Sequence, residues 1–324
     1  MKIMSTVDRE CFKIARIDPS IVDEIAFSGF KSDQFFLDLV GADCLYTQSM
    51  NEISKDIINA GPRLKLIQTL GVGYEKVDLD FARSRGVFVC NSKACNSDAV
   101  AEFTLGLILA GLRRIPYYER RVYKGEFHES WKGIFTAGLR QLSGRRVGII
   151  GFGDIAKALI TLLRPFGCEI YYYNRTRGSE ETEANIGITY LPLTELIKQC
   201  NVISLHVPAK PETINLIDKK EFSVMRPDTL LINAARGEVV NSQALADALI
   251  GGQIFGAALD TIYPEPPGDD HPLLNLPTHA KDRLIISPHI GGGTAEAISN
   301  TVTSFLNNVK RVDNGLQPLN VVNN

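Results

Sequence analysis

The 324-residue chain is short of cysteine, of excess charge of either sign and of long apolar runs, and each shortage removes a class of protein. Its six cysteines, at positions 11, 44, 90, 95, 168 and 200, show no paired metal-ligand spacing. No metal site or disulfide framework is therefore expected, and reduced thiols in a cytoplasm are. The 35 basic and 37 acidic side chains leave a net charge of -2, whereas nucleic acid and anionic membrane both need a basic face, so neither is expected as a partner. The longest apolar run, Phe103 to Leu112, falls far below the roughly 20 residues that span a bilayer and predicts a buried helix. Lys2, Ser5, Asp8 and Arg9 interrupt the start of the chain, so export is not expected.

Short runs rich in Val, Ile and Leu recur at 43–46, 64–69, 87–90, 147–150, 168–173, 201–205, 229–233, 254–259 and 284–286, separated by helical stretches. That is the rhythm of βαβ units, and the continuous apolar character of segments such as Val202-Ile203-Ser204-Leu205 predicts strands covered on both faces. The expected fold is α/β with doubly wound parallel sheets, and the length favours two domains. A helix over Ser242 to Ile250 is expected, with a capping serine at its start and Gly251-Gly252 after its end. A domain junction is placed in the stretch 97–143. The basic and aromatic residues there (Arg113, Arg114, Tyr117, Tyr118, Arg120, Arg121 and Trp131) are expected on a solvated helix face.

After the run at 147–150 come Gly151, Phe152, Gly153, Asp154, Ile155 and Ala156, then an apolar helical stretch. This is the G-x-G-x-x-G/A fingerprint in a strand-turn-helix setting. Gly151 permits the tight turn, Gly153 lets a pyrophosphate approach, Ala156 allows close helix packing, and the helix N-terminus attracts the anion. At the end of the next strand, where an acid would accept from a ribose 2′-hydroxyl, the chain has Asn174, followed by Arg175, Thr176 and Arg177. Two guanidinium groups beside a hydroxyl suit a 2′-phosphate, so NADP is the favoured cofactor and NAD the alternative.

Three further strand ends deliver chemistry: Arg236 in Asn233-Ala234-Ala235-Arg236-Gly237, Glu265 beyond Asp260 and between Pro264 and Pro266, and His289 in Ser287-Pro288-His289, before the glycines from Gly291. A carbonyl reduced beside a carboxylate needs a cation to hold that carboxylate, an acid to protonate the new alkoxide, and an anion to keep the acid charged.

With these residues, and with Gly71-Val72-Gly73-Tyr74, the Asn96-to-Glu102 helix start, His206-Val207-Pro208 and the closing Asn320-Val321-Val322-Asn323, the chain resembles the D-isomer-specific 2-hydroxyacid dehydrogenases along nearly its whole length. The resemblance implies an NAD(P)-dependent enzyme acting on a small 2-oxo or D-2-hydroxy acid such as glyoxylate or hydroxypyruvate. It implies Arg236, Glu265 and His289 as the catalytic trio, and Val72 and Gly73, with Arg236, as the substrate-carboxylate site. It implies cofactor contacts at Gly151, Gly153, Asp154, Ile155, Asn174, Arg175, Thr176, Arg177, His206, Val207, Pro208, Thr213, Ala234, Ala235, Arg236, Asp260, His289 and Gly291. It also implies two Rossmann-like domains, residues 1–99 with 291–324 for substrate and 100–290 for the dinucleotide, closing over the ligand by a hinge, in a homodimer.

The chain departs from the family's usual Pro-Gly turn at Ser92-Lys93-Ala94-Cys95, and Gln48 stands where phosphoglycerate dehydrogenases usually carry an arginine. A phosphite dehydrogenase and an NAD(H)-binding corepressor are the competing expectations. Glu265, where formate dehydrogenases resembling this chain have a glutamine, argues against that branch.

Overall fold

The computed structural model describes residues 1–324. Its contacts divide the chain into two compact units, Met1–Ala99 with Gly292–Asn324, and Val100–Gly291. The chain passes from the first to the second within the helix Ser97–Arg113.

The first unit holds strands β1 (Ile3–Ser5), β2 (Ala26–Phe27), β3 (Cys44–Gln48), β4 (Leu66–Leu70) and β5 (Phe88–Cys90), all parallel, in the order β2-β1-β3-β4-β5. Successive side chains point to opposite faces of a strand. Leu45, Ile67 and Val89 accordingly join one apolar cluster with Phe35 and Leu39, while Cys44, Tyr46, Leu66 and Cys90 join another with Phe12 and Phe305. The C-terminal segment seals the edge strand: Val321 bridges to Cys90, and the Asn323 amide accepts from Val89 N–H and donates to the Val87 carbonyl. An exposed row of unpaired backbone groups is thereby avoided.

The second unit holds β6 (Arg146–Ile150), β7 (Glu169–Tyr173), β8 (Thr189–Tyr190), β9 (Val202–Leu205), β10 (Leu230–Asn233), β11 (Gly256–Leu259) and β12 (Leu284–Ile286). All are parallel, in the order β12-β11-β10-β9-β6-β7-β8. From β6 the chain builds outward through β7 and β8, then crosses to the other side of β6 for β9. The topological switch, where such sheets bind ligands, therefore lies at the carboxyl end of β6. Alternation again splits the core, with Val147, Ile149, Leu230 and Ile232 on one face and Ile203, Leu205, Leu231 and Leu259 on the other.

Several local expectations change. The strands β1, β2 and β8 are two or three residues long, too short to give an apolar period, and exist because neighbouring strands pair with them. The helix Ser242–Ile250 is capped by Asn241, whose side chain accepts from Ala244 N–H, and not by Ser242. Asparagine and serine cap equally well, so position decides. In the helix Ser97–Arg113, Leu107, Ile108 and Leu112 are buried but Gly106 is exposed, so the apolar run is buried on one side only. No helix is long and apolar enough to cross a membrane.

Candidate active site

In a fully parallel sheet every carboxyl end lies on one edge, so segments distant in sequence converge there. Gly151, immediately after β6, has φ +101°, and a Cβ there would sit 2.3 Å from the His206 carbonyl oxygen. No side chain can be placed at that turn. Gly153 precedes the ten-residue helix Asp154–Leu163, and no atom lies within 4 Å of where its Cβ would be. The turn is thus closed on its inner side by Gly151 and open beside the helix N-terminus at Gly153, the geometry a pyrophosphate requires. Ala156 is fully buried, as close packing of that helix demands.

Beyond β7 the loop from Asn174 is braced from within. Asn174 donates to the Thr176 carbonyl at 2.9 Å. Arg177 forks onto Glu183 through two bonds of 2.8 and 2.7 Å, and the Tyr172 hydroxyl donates to the same carboxylate at 2.7 Å. Arg177, and then Tyr172, pull the Glu183 carboxyl down to about 2. The expected cradle of two guanidinium groups is therefore reduced to one: Arg177 is turned to Glu183, and Arg175, 79% exposed, meets only Glu212 at the surface. After β9, His206 shares a 2.8 Å hydrogen bond with Ser204, and burial lowers its pKa to about 4, so its ring is neutral at physiological pH. Val207 is half-buried and Pro208 exposed, and the Thr213 hydroxyl donates to the Pro208 carbonyl and accepts from Lys210 N–H. Thr213 thus braces its own loop.

The ends of β10, β11 and β12, neighbours in the sheet, carry the three candidate catalytic residues. Asn233, fully buried at the end of β10, accepts from Ala235 N–H and donates to the Arg236 carbonyl, holding the turn at both ends. One Arg236 nitrogen donates to the Ala235 carbonyl at 2.8 Å. A Cβ on Gly237 would lie 2.3 Å from the Ile262 carbonyl carbon, so the Arg236 turn rests directly on the backbone leading to Glu265. The Leu273 N–H donates to Nδ1 of the buried His271, which leaves Nε2 as the donor to the Tyr263 carbonyl and braces the same segment.

His289 Nδ1 lies 2.9 and 3.2 Å from the two oxygens of Glu265. With a carboxylate accepting at Nδ1, that nitrogen carries the hydrogen and Nε2 remains available for proton transfer. His289 holds φ +54°, an uncommon conformation for a residue with a side chain. Asp260 enforces it: its carbonyl accepts from His289 N–H, and its buried carboxylate accepts from Ser287 Oγ at 2.6 Å, Ile290 N–H at 2.9 Å and Gly291 N–H at 2.8 Å. Both carboxylate oxygens of Asp260 are thus committed to the turn that carries His289.

The D-isomer specific 2-hydroxyacid dehydrogenase NAD-binding domain matches residues 105–291, more than half of the chain. A glyoxylate reductase of Thermococcus litoralis is 37% identical over 87% of this chain and 83% of its own. The chain belongs to the D-isomer specific 2-hydroxyacid dehydrogenase family. Among solved structures, a protein of Thermus thermophilus superposes with a TM-score of 0.85 at 28% identity, covering 99% of this chain and 100% of its own. A D-lactate dehydrogenase of Aquifex aeolicus, complexed with NAD and lactic acid, gives 0.82 at 28% identity over 97% and 95%.

In the first unit of this dehydrogenase, Gly71, Val72 and Gly73 follow the carboxyl end of β4. Their carbonyls are tied on one side: Gly71 accepts from Ser92 N–H at 2.7 Å and Val72 from the Asn91 amide at 2.9 Å. The unusual Ser92-Lys93-Ala94-Cys95 segment is therefore partly a brace for this loop. Ala94 takes φ +66°, so the turn keeps a glycine-like backbone without glycine. Residues that act through others, namely Asn91, Ser92, Asn233, Asp260 as a brace, His271 and Ser287, were not separable from ordinary loop polar residues in the sequence. For all of these but His271, which lies midway between β11 and β12, the one available signal was a position within two residues of a strand end.

Proposed function

We propose that this dehydrogenase reduces a small 2-oxo acid, of the glyoxylate or hydroxypyruvate kind, to the D-2-hydroxy acid with NADP(H). The observation that carries this is the His289–Glu265 pair beside the Arg236 turn, each at the carboxyl end of a parallel strand. When bound, the reduced nicotinamide supplies the hydride that adds to C2. Arg236 holds the substrate carboxylate through its planar fork. His289 gives the proton at Nε2 to the carbonyl oxygen as the hydride arrives, and Glu265 stabilises the imidazolium. The reverse reaction returns that proton to Nε2. Names of relatives such as glyoxylate reductase support a small substrate. We place the substrate on residues 1–99 and 291–324 and the dinucleotide on residues 100–290.

NADP(H) is favoured because no acid ends β7 and Arg175 is exposed there. Arg177 does not contribute while it is held by Glu183, so the preference over NAD(H) rests on one guanidinium. We further propose a homodimer, because the helices Ile115–Tyr123 and Phe127–Lys132 expose Val122, Tyr123, Phe127 and Trp131, with Phe135 beyond them. Exposed large apolar side chains on neighbouring elements suit contact with a second copy. Light scattering should give twice the chain mass. A panel of 2-oxo acids assayed with NADPH and NADH tests the activity. Steady turnover of glyoxylate or hydroxypyruvate is expected, and tight nucleotide binding without turnover of any 2-oxo acid would favour a binding protein instead.

A further inference from the structure

We propose that two of the chain's own carboxylates, Glu183 and Glu212, compete with the 2′-phosphate of NADP(H) for the two guanidinium groups of the loop after β7, and so set how strongly the phosphorylated cofactor is preferred. The inference rests on the reading of that loop as the 2′-phosphate cradle and names the residues that hold it in check. The loop lies beside the nucleotide turn: the Phe152 ring is 4.7 Å from that of Tyr172, and a Cβ on Gly178 would lie 3.1 Å from the Tyr172 hydroxyl and 3.9 Å from Phe152. Glu183 reaches it from the helix Glu180–Ile186 and Glu212 from the loop after β9, so the two acids come from different elements.

The two pairs differ in strength. Arg177 donates through Nε and Nη2 to both oxygens of Glu183, and its guanidinium carbon lies 5.3 Å from the centroid of the Tyr190 ring. The Glu183 side chain is only 10% exposed and accepts in addition from the Tyr172 hydroxyl. Arg175 instead meets Glu212 through a single contact of 3.0 Å, with 79% and 51% of the two side chains exposed. Each arginine of the loop therefore faces one carboxylate, which offsets its charge. A phosphate monoester brings nearly two negative charges and three acceptor oxygens, against one charge and two oxygens for a carboxylate, so it is the stronger ligand for either fork. Displacing Glu212 costs little, because an exposed pair is screened by water. Recruiting Arg177 means opening a fork closed on a mostly buried acid, and that costs much more.

The test is the ratio of NAD⁺ to NADP⁺ dissociation constants, measured by calorimetry on the full chain without substrate. The native ratio tests the cofactor reading, and its change on substitution tests the competition, so the two can fail separately. Glu183→Gln keeps an acceptor for the Tyr172 hydroxyl and removes the charge that holds Arg177. The ratio should rise about tenfold, the value of one charge-assisted hydrogen bond, with NAD⁺ affinity little changed. Glu212→Gln should raise it about threefold, in keeping with an exposed pair, and this arm decides if Glu183→Gln does not fold. Each gain should vanish when the paired arginine is also replaced, in Arg177→Ala with Glu183→Gln and in Arg175→Ala with Glu212→Gln. A merely structural role for Glu183 would weaken both cofactors together and leave the ratio where it was. An unchanged or lower ratio in folded Glu183→Gln or in Glu212→Gln would overturn the proposal. So would a gain that persists without the arginine, because the carboxylate would then act by repulsion of the phosphate and not by competition for its partner.

Discussion

At the scale of the residue, the bonds from His289 Nδ1 to Glu265 make a prediction. Glu265→Gln keeps the shape and removes the charge, so kcat for oxo-acid reduction should fall by about tenfold, the value of one charge-assisted hydrogen bond, with cofactor affinity unchanged. An unchanged kcat would count against the pairing. His289→Ala should lower kcat by about 10²-fold or more, the usual contribution of a positioned acid. The loop after β7 makes a second prediction, because its two arginines have different partners. Replacing the exposed Arg175 by Ala should reduce the preference for NADPH over NADH by about tenfold, the value of one charge-assisted hydrogen bond. Replacing Arg177, whose fork is on Glu183, should mainly lower thermal stability. If Arg177→Ala narrows the cofactor preference more than Arg175→Ala does, Arg177 leaves Glu183 when the cofactor binds.

At the scale of the element, the two sheets position the candidate site residues by one rule: a parallel strand ends, and a short turn braced by a buried polar residue carries the side chain or loop proposed to act. Asn233 braces the turn of Arg236, Asp260 that of His289, and Asn91 with Ser92 the Val72 loop. The turn at Ala94 is where this bracing works against local preference. A left-handed backbone costs a non-glycine residue about 1–2 kcal/mol, while the added freedom of glycine in the unfolded chain costs about 0.4–1 kcal/mol. Ala94→Gly should therefore stabilise the protein by about 0 to 1.6 kcal/mol, read from chemical denaturation. A loss of stability would mean that the Ala94 methyl makes a favourable contact outweighing the strain.

At the scale of the whole molecule, two groups set how stability follows pH. His206 has its pKa lowered from 6.5 to about 4 by burial. Between those values the unfolded chain takes a proton that the folded chain refuses, so the contribution is present above about 6.5 and fades as pH falls toward 4. Glu183 is lowered from 4.5 to about 2 by Arg177 and Tyr172, so its contribution is present above about 4.5 and fades as pH falls toward 2. Urea midpoints taken from pH 7 to pH 3 should fall through both windows. His206→Gln should flatten the upper window, and Glu183→Gln the lower. If neither substitution alters its window, the acid sensitivity has another source.

Much of this architecture could be read from the sequence, and the reason is periodicity and spacing. Continuous apolar runs after helical stretches gave the parallel sheets, and glycines at fixed offsets after the run at 147–150 located the nucleotide turn. Arg236, Glu265 and His289 could be singled out as candidates because each follows a strand end, and a parallel sheet puts all such ends on one edge. What a side chain bonds to depends on neighbours far away in sequence, and this only the tertiary structure decided. Arg175 and Arg177 look alike in the chain, yet Glu183 and Tyr172, brought beside one of them by the fold of the β7 loop, hold it and leave the other exposed. Arg114 and Arg120 look alike too, but only Arg114 has its Nε buried over Phe255, a residue more than a hundred positions later.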